Sequence, residues 1–165
     1  TKIGKNRILA ENQWKKISRR NSYPLQVFRS GGIYDSNRNQ INKIKNNSEN
    51  FFVKEGLKFN RIHQDDLVGV ILSSLNEDKL INIFNVVDDK PSSVWEQVEF
   101  ICEELNLPLP NKFKLSEKKL TEKQKEFFEE NKLVKNDLIK TRLGYKLKYP
   151  SYREGLKAII NNLDT

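Results

Sequence analysis

The stretch Phe59-Asn60-Arg61-Ile62-His63-Gln64-Asp65-Asp66-Leu67 combines the end of a strand with the start of a helix. Residues 58–62 are predicted to be extended, and Asp65 is predicted to cap a helix. The apolar face of this helix is predicted to contain Leu67, Val70, Ile71 and Leu75. The next apolar run, Leu80–Val87, has the composition of a strand that is covered on both faces. Strand, helix and strand in this order predict a parallel α/β sheet.

Similar elements flank this unit on both sides. A helix is predicted over 5–18, and the run Leu25–Phe28 after Pro24 is predicted to be a strand that leads into the permissive pair Gly31-Gly32. Ser93 with Glu96 has the spacing of a capping box. The helix that follows is predicted to bury Trp95, Val98, Ile101, Cys102 and Leu105.

The composition changes after Pro108 and Pro110, where the chain becomes strongly charged and helical. Asn136 is predicted to cap a short helix, and Ser151 with Glu154 is predicted to start the last one. We therefore predict two units. Residues 1–105 form an α/β region with a variable insertion around 35–58, and residues 106–165 form a small, mostly helical region.

Composition limits the kind of protein. A single cysteine excludes an internal disulfide, and one cysteine with one histidine cannot build a zinc site of that type, so no metal is predicted. The longest apolar run, 67–72, is far too short for a membrane span. We therefore expect a cytoplasmic protein without a membrane partner.

The net charge of +8 raises nucleic acid as a partner. Residues 1–20 contain seven basic side chains against Glu11 alone, but the later lysines alternate with glutamates, as at 117–130. Such alternation favours a solvated surface over a nucleic-acid site. The chain also contains no methionine, which is compatible with processing or with the carboxy-terminal portion of a longer protein.

Three polar loops follow predicted strands, at 29–38, 61–66 and 85–89. Ligands of parallel α/β sheets bind beyond the carboxyl ends of the strands, so these loops are candidates for one shared site. The alternative is structural: the aspartates would cap helices and Asn85 would satisfy a turn.

The loops resemble late segments of extended short-chain dehydrogenase/reductases, the group that contains nucleotide-sugar epimerases and dehydratases. Residues 28–38 resemble that group's Arg-x-x-x-x-Tyr-Gly-Pro-Gly loop, residues 61–66 its His-Val-x-Asp segment, and residues 84–89 its Tyr-Asn-Val-x-Asp strand. Near the end of the chain, Glu130-Asn131-Lys132, Leu143-Gly144 and residues 149–156 resemble a bacterial subgroup of NAD(P)-dependent epimerase-like proteins.

The resemblance implies the later part of a Rossmann-like parallel sheet with a small helical substrate-binding region, in an oxidoreductase that uses NAD or NADP. The cofactor-binding residues that it implies are Arg7, Arg29, Tyr34, His63 and Asn85. The implied substrate-binding residues are Arg38, Arg61 and Lys132. The guanidinium groups of Arg29, Arg38 and Arg61 suit anionic groups such as phosphates.

Two departures limit what the resemblance implies about chemistry. The Tyr-x-x-x-Lys pair of that group falls on Ile3 and Arg7 if Glu11 is the glutamate that follows it, and isoleucine cannot transfer a proton. The glycine-rich fingerprint that holds the dinucleotide is also absent from the sequence. The catalytic residues therefore stay unassigned.

Three hypotheses follow. The first is the carboxy-terminal part of an NAD(P)-dependent epimerase- or dehydratase-like enzyme that acts on a nucleotide-sugar or similar polar substrate. The second is a non-catalytic NAD(P)-binding or regulatory relative, and the third is a basic nucleic-acid-binding module. Under the first hypothesis, the expected partners are the small-molecule substrate, the amino-terminal part of the same protein and a second copy of the chain.

Overall fold

The computed structural model describes residues 2–46, 50–117, 119–122, 125, 128 and 132–163. Within them the helices are α1 (Lys2–Asn21), α2 (Ile41–Lys45), α3 (Gln64–Ser73), α4 (Val94–Glu104), α5 (Asp137–Thr141) and α6 (Tyr152–Asn161). The strands are β1 (Leu25–Ser30), β2 (Gly32–Tyr34), β3 (Phe51–Val53), β4 (Arg61–His63), β5 (Ile81–Val86) and β6 (Lys112–Lys114).

These strands form three parallel pairs, β1 with β5, β2 with β4, and β3 with β6. The predicted α/β class with parallel strands is therefore confirmed. Only Gly31 separates β1 from β2, and its N–H donates to the Val86 carbonyl at 3.1 Å. A Cβ at residue 31 would lie 2.6 Å from the Asn60 carbonyl oxygen, so this close approach of two backbones requires glycine.

Two hydrophobic cores hold helices α2 to α6 on the strands. One core lies around α4 and α6, and its fully or nearly buried members include Val98, Ile101, Leu156 and Ile159. The other contains Ile62, Val70, Phe84, Val86, Ile139 and Leu147. Because α6 shares the core of α4, the region after residue 105 packs on the region before it. The division of the chain at residue 105 stays a prediction.

Two predicted helix starts are confirmed, and Asn136 is the N-cap residue of α5, although its side chain forms no capping hydrogen bond. Ser93 with Glu96 and Ser151 with Glu154 both form capping boxes. The prediction for α3 was wrong, because the N-cap is His63, whose Nδ1 accepts the Asp65 N–H at 3.1 Å. His63 has the extended backbone of an N-cap residue and ends β4, so its ring reaches the free amide two residues later.

The predicted buried face of α3 is only partly confirmed. Val70 is buried, whereas Ile71 and Leu75 are exposed, the latter by 69%. On α1 the apolar residues Ile8, Leu9 and Trp14 are exposed as well. Periodicity therefore identified apolar helix faces but not what covers them. None of the helices in the described part of the chain combines the length and apolar composition needed to cross a bilayer.

Candidate functional site

Tyr34 and His63 are register partners on β2 and β4, and their rings meet edge to face with centroids 5.2 Å apart. Both side chains are buried. The Tyr34 hydroxyl donates to the Ser151 carbonyl at 3.4 Å, and the His63 ring also packs on Tyr149 with ring centroids 4.1 Å apart. The structure thus brings two predicted cofactor residues together, but the Tyr34 hydroxyl and His63 Nδ1 form hydrogen bonds within the chain.

The same burial shifts the protonation of both groups. Removal from water is the largest influence on the Tyr34 phenol and raises its pKa, and the Asp88 charge raises it further. Burial lowers the pKa of His63, against the opposing charges of Asp65 and Asp66. A neutral imidazole fits its role at the helix start, because Nδ1 must keep a lone pair to accept the Asp65 N–H.

Arg29 and Asn85 are register partners on β1 and β5. The Arg29 guanidinium binds the Glu11 carboxylate through two hydrogen bonds of 3.1 and 2.9 Å. Hydrogen bonding to Arg29, and then to Lys15, holds the pKa of Glu11 below its usual value. These contacts tie α1 to the end of β1.

The other predicted residues are scattered. Arg61 is half-buried, donates to Ser92 Oγ at 3.4 Å and lies 5.8 Å above the Phe59 ring. Desolvation lowers the pKa of Arg61. Arg7, Arg38 and Lys132 are exposed. The side chain of Ile3 and the residues Glu130 and Asn131 lie outside the part that the structure describes.

A short segment crosses the carboxyl end of β5 and the residue that precedes β4, and we call residues 133–137 the strap. Three asparagines anchor it. The Val134 N–H donates to Asn60 Oδ1 at 2.9 Å, Asn85 Nδ2 donates to the Lys135 carbonyl at 3.1 Å, and Asn136 Nδ2 donates to the Val87 carbonyl at 2.8 Å. Asn85, predicted to face a cofactor, therefore binds the strap.

A cleft of about 510 Å³ lies beside the strap. Its other lining residues are Asp88, Asp89, Pro91 and Lys140. Asp88 is only 3% exposed, and burial is the main reason that its pKa rises to about 7. Asp89 is held from the strap side, since its Oδ1 accepts from Asn136 and Lys140.

A larger cleft, of about 940 Å³, is formed by β3, β6 and the start of α4. Its apolar surface includes Val53, Trp95, Phe113 and Phe128. Its charged lining residues in the described part of the chain are Lys54, Lys112, Lys114, Lys125 and Glu55. Lys112 Nζ lies 4.6 Å from the centre of the Trp95 ring, and Lys54 Nζ donates to the Phe128 carbonyl at 2.9 Å.

Sequence reasoning missed this lysine-rimmed cleft. Its local signal was the strand Lys112-Phe113-Lys114, in which basic and aromatic side chains alternate and all three line the cleft. None of the residues predicted to bind cofactor or substrate lines either cleft. Their binding roles stay predictions. The described residues also contain no cluster of three or more side chains suited to hold a metal.

The sequence and the structure were compared with those of known proteins. No protein-family model matches the sequence, and no curated protein matches it. A structure of a functionally unknown conserved protein from Silicibacter pomeroyi superposes with a TM-score of 0.84 at 35% identity, and the match covers 96% of this chain and 55% of that one.

Two further structures share the fold at lower identity. Human epimerase family protein SDR39U1 with NADPH has a TM-score of 0.68 at 17% identity over 84% of this chain and 49% of that one. UDP-glucose 4-epimerase from Thermotoga maritima with UDP-glucose has a TM-score of 0.74 at 16% identity over 93% and 50%. The chain spans about half the length of these proteins, and over that half it has the Rossmann-like α/β fold of epimerases.

Proposed function

We propose that this chain is the substrate-side, carboxy-terminal part of an NAD(P)-dependent epimerase- or dehydratase-like oxidoreductase whose substrate is a nucleotide-linked sugar. The observation that carries the proposal is the large cleft between β3, β6 and α4. A nucleotide combines a flat base with phosphates, and this cleft combines aromatic and apolar residues with four lysines. The fold shared with proteins whose structures contain UDP-glucose or NADPH supports the same substrate and cofactor classes.

The charge of the cleft suits phosphate. Four lysines face one glutamate among the described lining residues, so the cleft is electropositive. Lysine ammonium groups bind phosphate oxygens as mobile point charges. A base could stack on the aromatic residues, which typically contributes about 1–3 kcal/mol.

The described residues do not by themselves fit a dinucleotide cofactor. Tyr34 and His63 are buried in contacts within the chain, and the Arg29 guanidinium is bound by Glu11. The cleft at β3 and β6 supplies substrate contacts in this proposal. The cofactor would be held chiefly by the part of the enzyme outside this chain.

Fluorescence of Trp95 tests the substrate class. The chain contains two tryptophans, and Trp14→Phe removes the exposed one on α1, so that the remaining signal comes from the cleft. We expect UDP to change this signal saturably and uridine to bind at least tenfold more weakly. Lys112→Ala should weaken UDP binding about three- to tenfold, because it removes one of the cleft cations.

Lys146→Ala is the matched control, since Lys146 is exposed and does not line the cleft. Equal affinity of UDP for the Lys112→Ala and Lys146→Ala proteins would reject the cleft as the nucleotide site. Absence of UDP binding to the parent protein would reject the proposed substrate class.

A non-catalytic relative is the second candidate, and the sequence departures at Ile3 and Arg7 favour it. It predicts nucleotide binding without turnover. Assay of the full-length protein with NAD, NADP and UDP-sugars separates the two candidates, because only the enzyme would change the nicotinamide absorbance or the sugar configuration.

A further inference from the structure

Asp88 is a carboxyl group enclosed in the protein. The residue is 3% exposed, and the backbone N–H of Lys90 faces it, but neither carboxylate oxygen forms a hydrogen bond of good geometry with a described residue. Asp66 is also buried but accepts three hydrogen bonds. A buried carboxylate without partners is costly, so Asp88 favours either the protonated acid or access to water.

The charged groups around Asp88 come from several elements. Arg61 of β4 and the backbone N–H of Lys90 favour its charged form, whereas Asp89 and Glu154 of α6 oppose it. Its charge also acts on the Tyr34 phenol of β2. On the strap side, the cleft is lined by Lys135, Asp137 and Lys140. Burial outweighs these influences and raises the pKa of Asp88 to about 7.

The strap is fastened on either side of this carboxyl group. Asn136 Nδ2 donates to the carbonyl of Val87 at 2.8 Å and to Asp89 Oδ1 at 2.7 Å. Val87 and Asp89 are the chain neighbours of Asp88. A backbone movement large enough to hydrate Asp88 would therefore disturb both anchors of Asn136.

We propose that Asp88 is a proton-dependent latch on the strap. The protonated acid keeps residues 133–137 closed over the carboxyl end of β5 and the start of β4, and loss of the proton opens the cleft beside them. The proposal is independent of the proposed enzymatic function, because it concerns only the strap and the strand ends that it covers.

The direction follows from linkage. The closed state has the raised pKa of about 7, whereas a hydrated carboxyl group in the open state has a value near 3.8. The closed state therefore binds the proton more tightly. Well below pH 3.8 the opening equilibrium constant does not depend on pH. Between about pH 3.8 and 7 it rises about tenfold per pH unit, and above about pH 7 it is constant again.

Hydrogen exchange of the Val134 amide measures strap opening, because this N–H donates directly to Asn60. We expect its opening constant, corrected for the intrinsic exchange rate, to rise about tenfold from pH 5.5 to 6.5 and to level off above pH 7.5. The Leu25 amide, bound to the Leu80 carbonyl at the far end of β1, reports the rest of the sheet and should rise less.

Asp88→Asn should remove the pH dependence at Val134, and Asp78→Asn should leave it unchanged, since Asp78 is exposed. A flat Val134 profile in the parent protein, or the same slope in Asp88→Asn, would overturn the latch. Equal slopes at Val134 and Leu25 would overturn it too, because they indicate global unfolding. If Asp88→Asn does not fold, ¹³C NMR titration of the Asp88 carboxyl group in the parent protein measures its pKa directly. A titration midpoint near 4 would overturn the proposal.

Discussion

The phenol of Tyr145 donates a hydrogen bond of 2.9 Å to the carboxylate of Asp66, which lies 79 positions earlier in the chain. The same carboxylate accepts the backbone N–H groups of Lys148 and Tyr149 at 2.7 and 2.9 Å. A single acidic residue on α3 thus fastens the segment before α6.

We predict that Asp66→Asn lowers the free energy of unfolding by about 2–4 kcal/mol, since the amide cannot accept all three hydrogen bonds and leaves buried donors unpaired. Urea unfolding at pH 7 measures the change. Asp65→Asn is the control. Asp65 is half-exposed and pairs with Lys148 at 3.0 Å, so its loss should cost about 0–1 kcal/mol. Equal costs for the two variants would contradict the role assigned to Asp66.

The second prediction concerns the loss of stability at acidic pH. Burial lowers the pKa of His63 in the folded protein below its usual value of about 6.5. The folded state therefore binds the proton less tightly than the unfolded state, so the contribution of His63 to stability is complete above about pH 6.5 and declines below it. Protonation also removes the Nδ1 acceptor that caps α3.

His63→Asn keeps a capping side chain that does not titrate. We expect the parent protein to lose stability relative to this variant as pH falls from 7 to 5, by up to about 1.4 kcal/mol per pH unit. The chain has one histidine, and the titration of Asp88 is common to both proteins, so the difference isolates His63. A difference that does not depend on pH would refute the prediction.

The third prediction concerns Gly155 on α6. A Cβ there would lie 2.1 Å from the Tyr34 hydroxyl oxygen and 2.7 Å from the adjacent ring carbon. Gly155→Ala should lower the free energy of unfolding by about 1–3 kcal/mol, although alanine favours helix by about 1 kcal/mol. Gly32→Ala is the control, because the nearest atom to its Cβ is 3.7 Å away. A more stable Gly155→Ala protein would show that Tyr34 moves aside readily.

The fourth prediction is that the chain alone binds NAD and NADP only very weakly. Its seven glycines do not form the spaced fingerprint that holds a pyrophosphate, and Tyr34 and His63 are enclosed by other side chains. Calorimetric titration with each cofactor checks this. Saturable binding at micromolar concentration would show that the residues of this chain suffice to hold the cofactor.

The sequence by itself determined the elements whose signals are local. The apolar runs at β1 and β5 and the capping boxes of α4 and α6 were all predictable. Each of these signals comes from residues within one or two turns of helix or one strand. The order of the elements then indicated parallel pairing, which the structure shows.

Tertiary structure alone decided which side chains remain available for ligands. Arg29 binds Glu11 across 18 positions, Asn85 binds the strap across 50, and Val134 binds Asn60 across 74. A polar side chain after a strand looks the same in sequence whether it faces solvent or satisfies a distant backbone group. Whether such a side chain is free for a ligand depends on a hydrogen-bonding partner that only folding brings near. This is why Arg29 and Asn85, predicted to bind a cofactor, form hydrogen bonds within the fold.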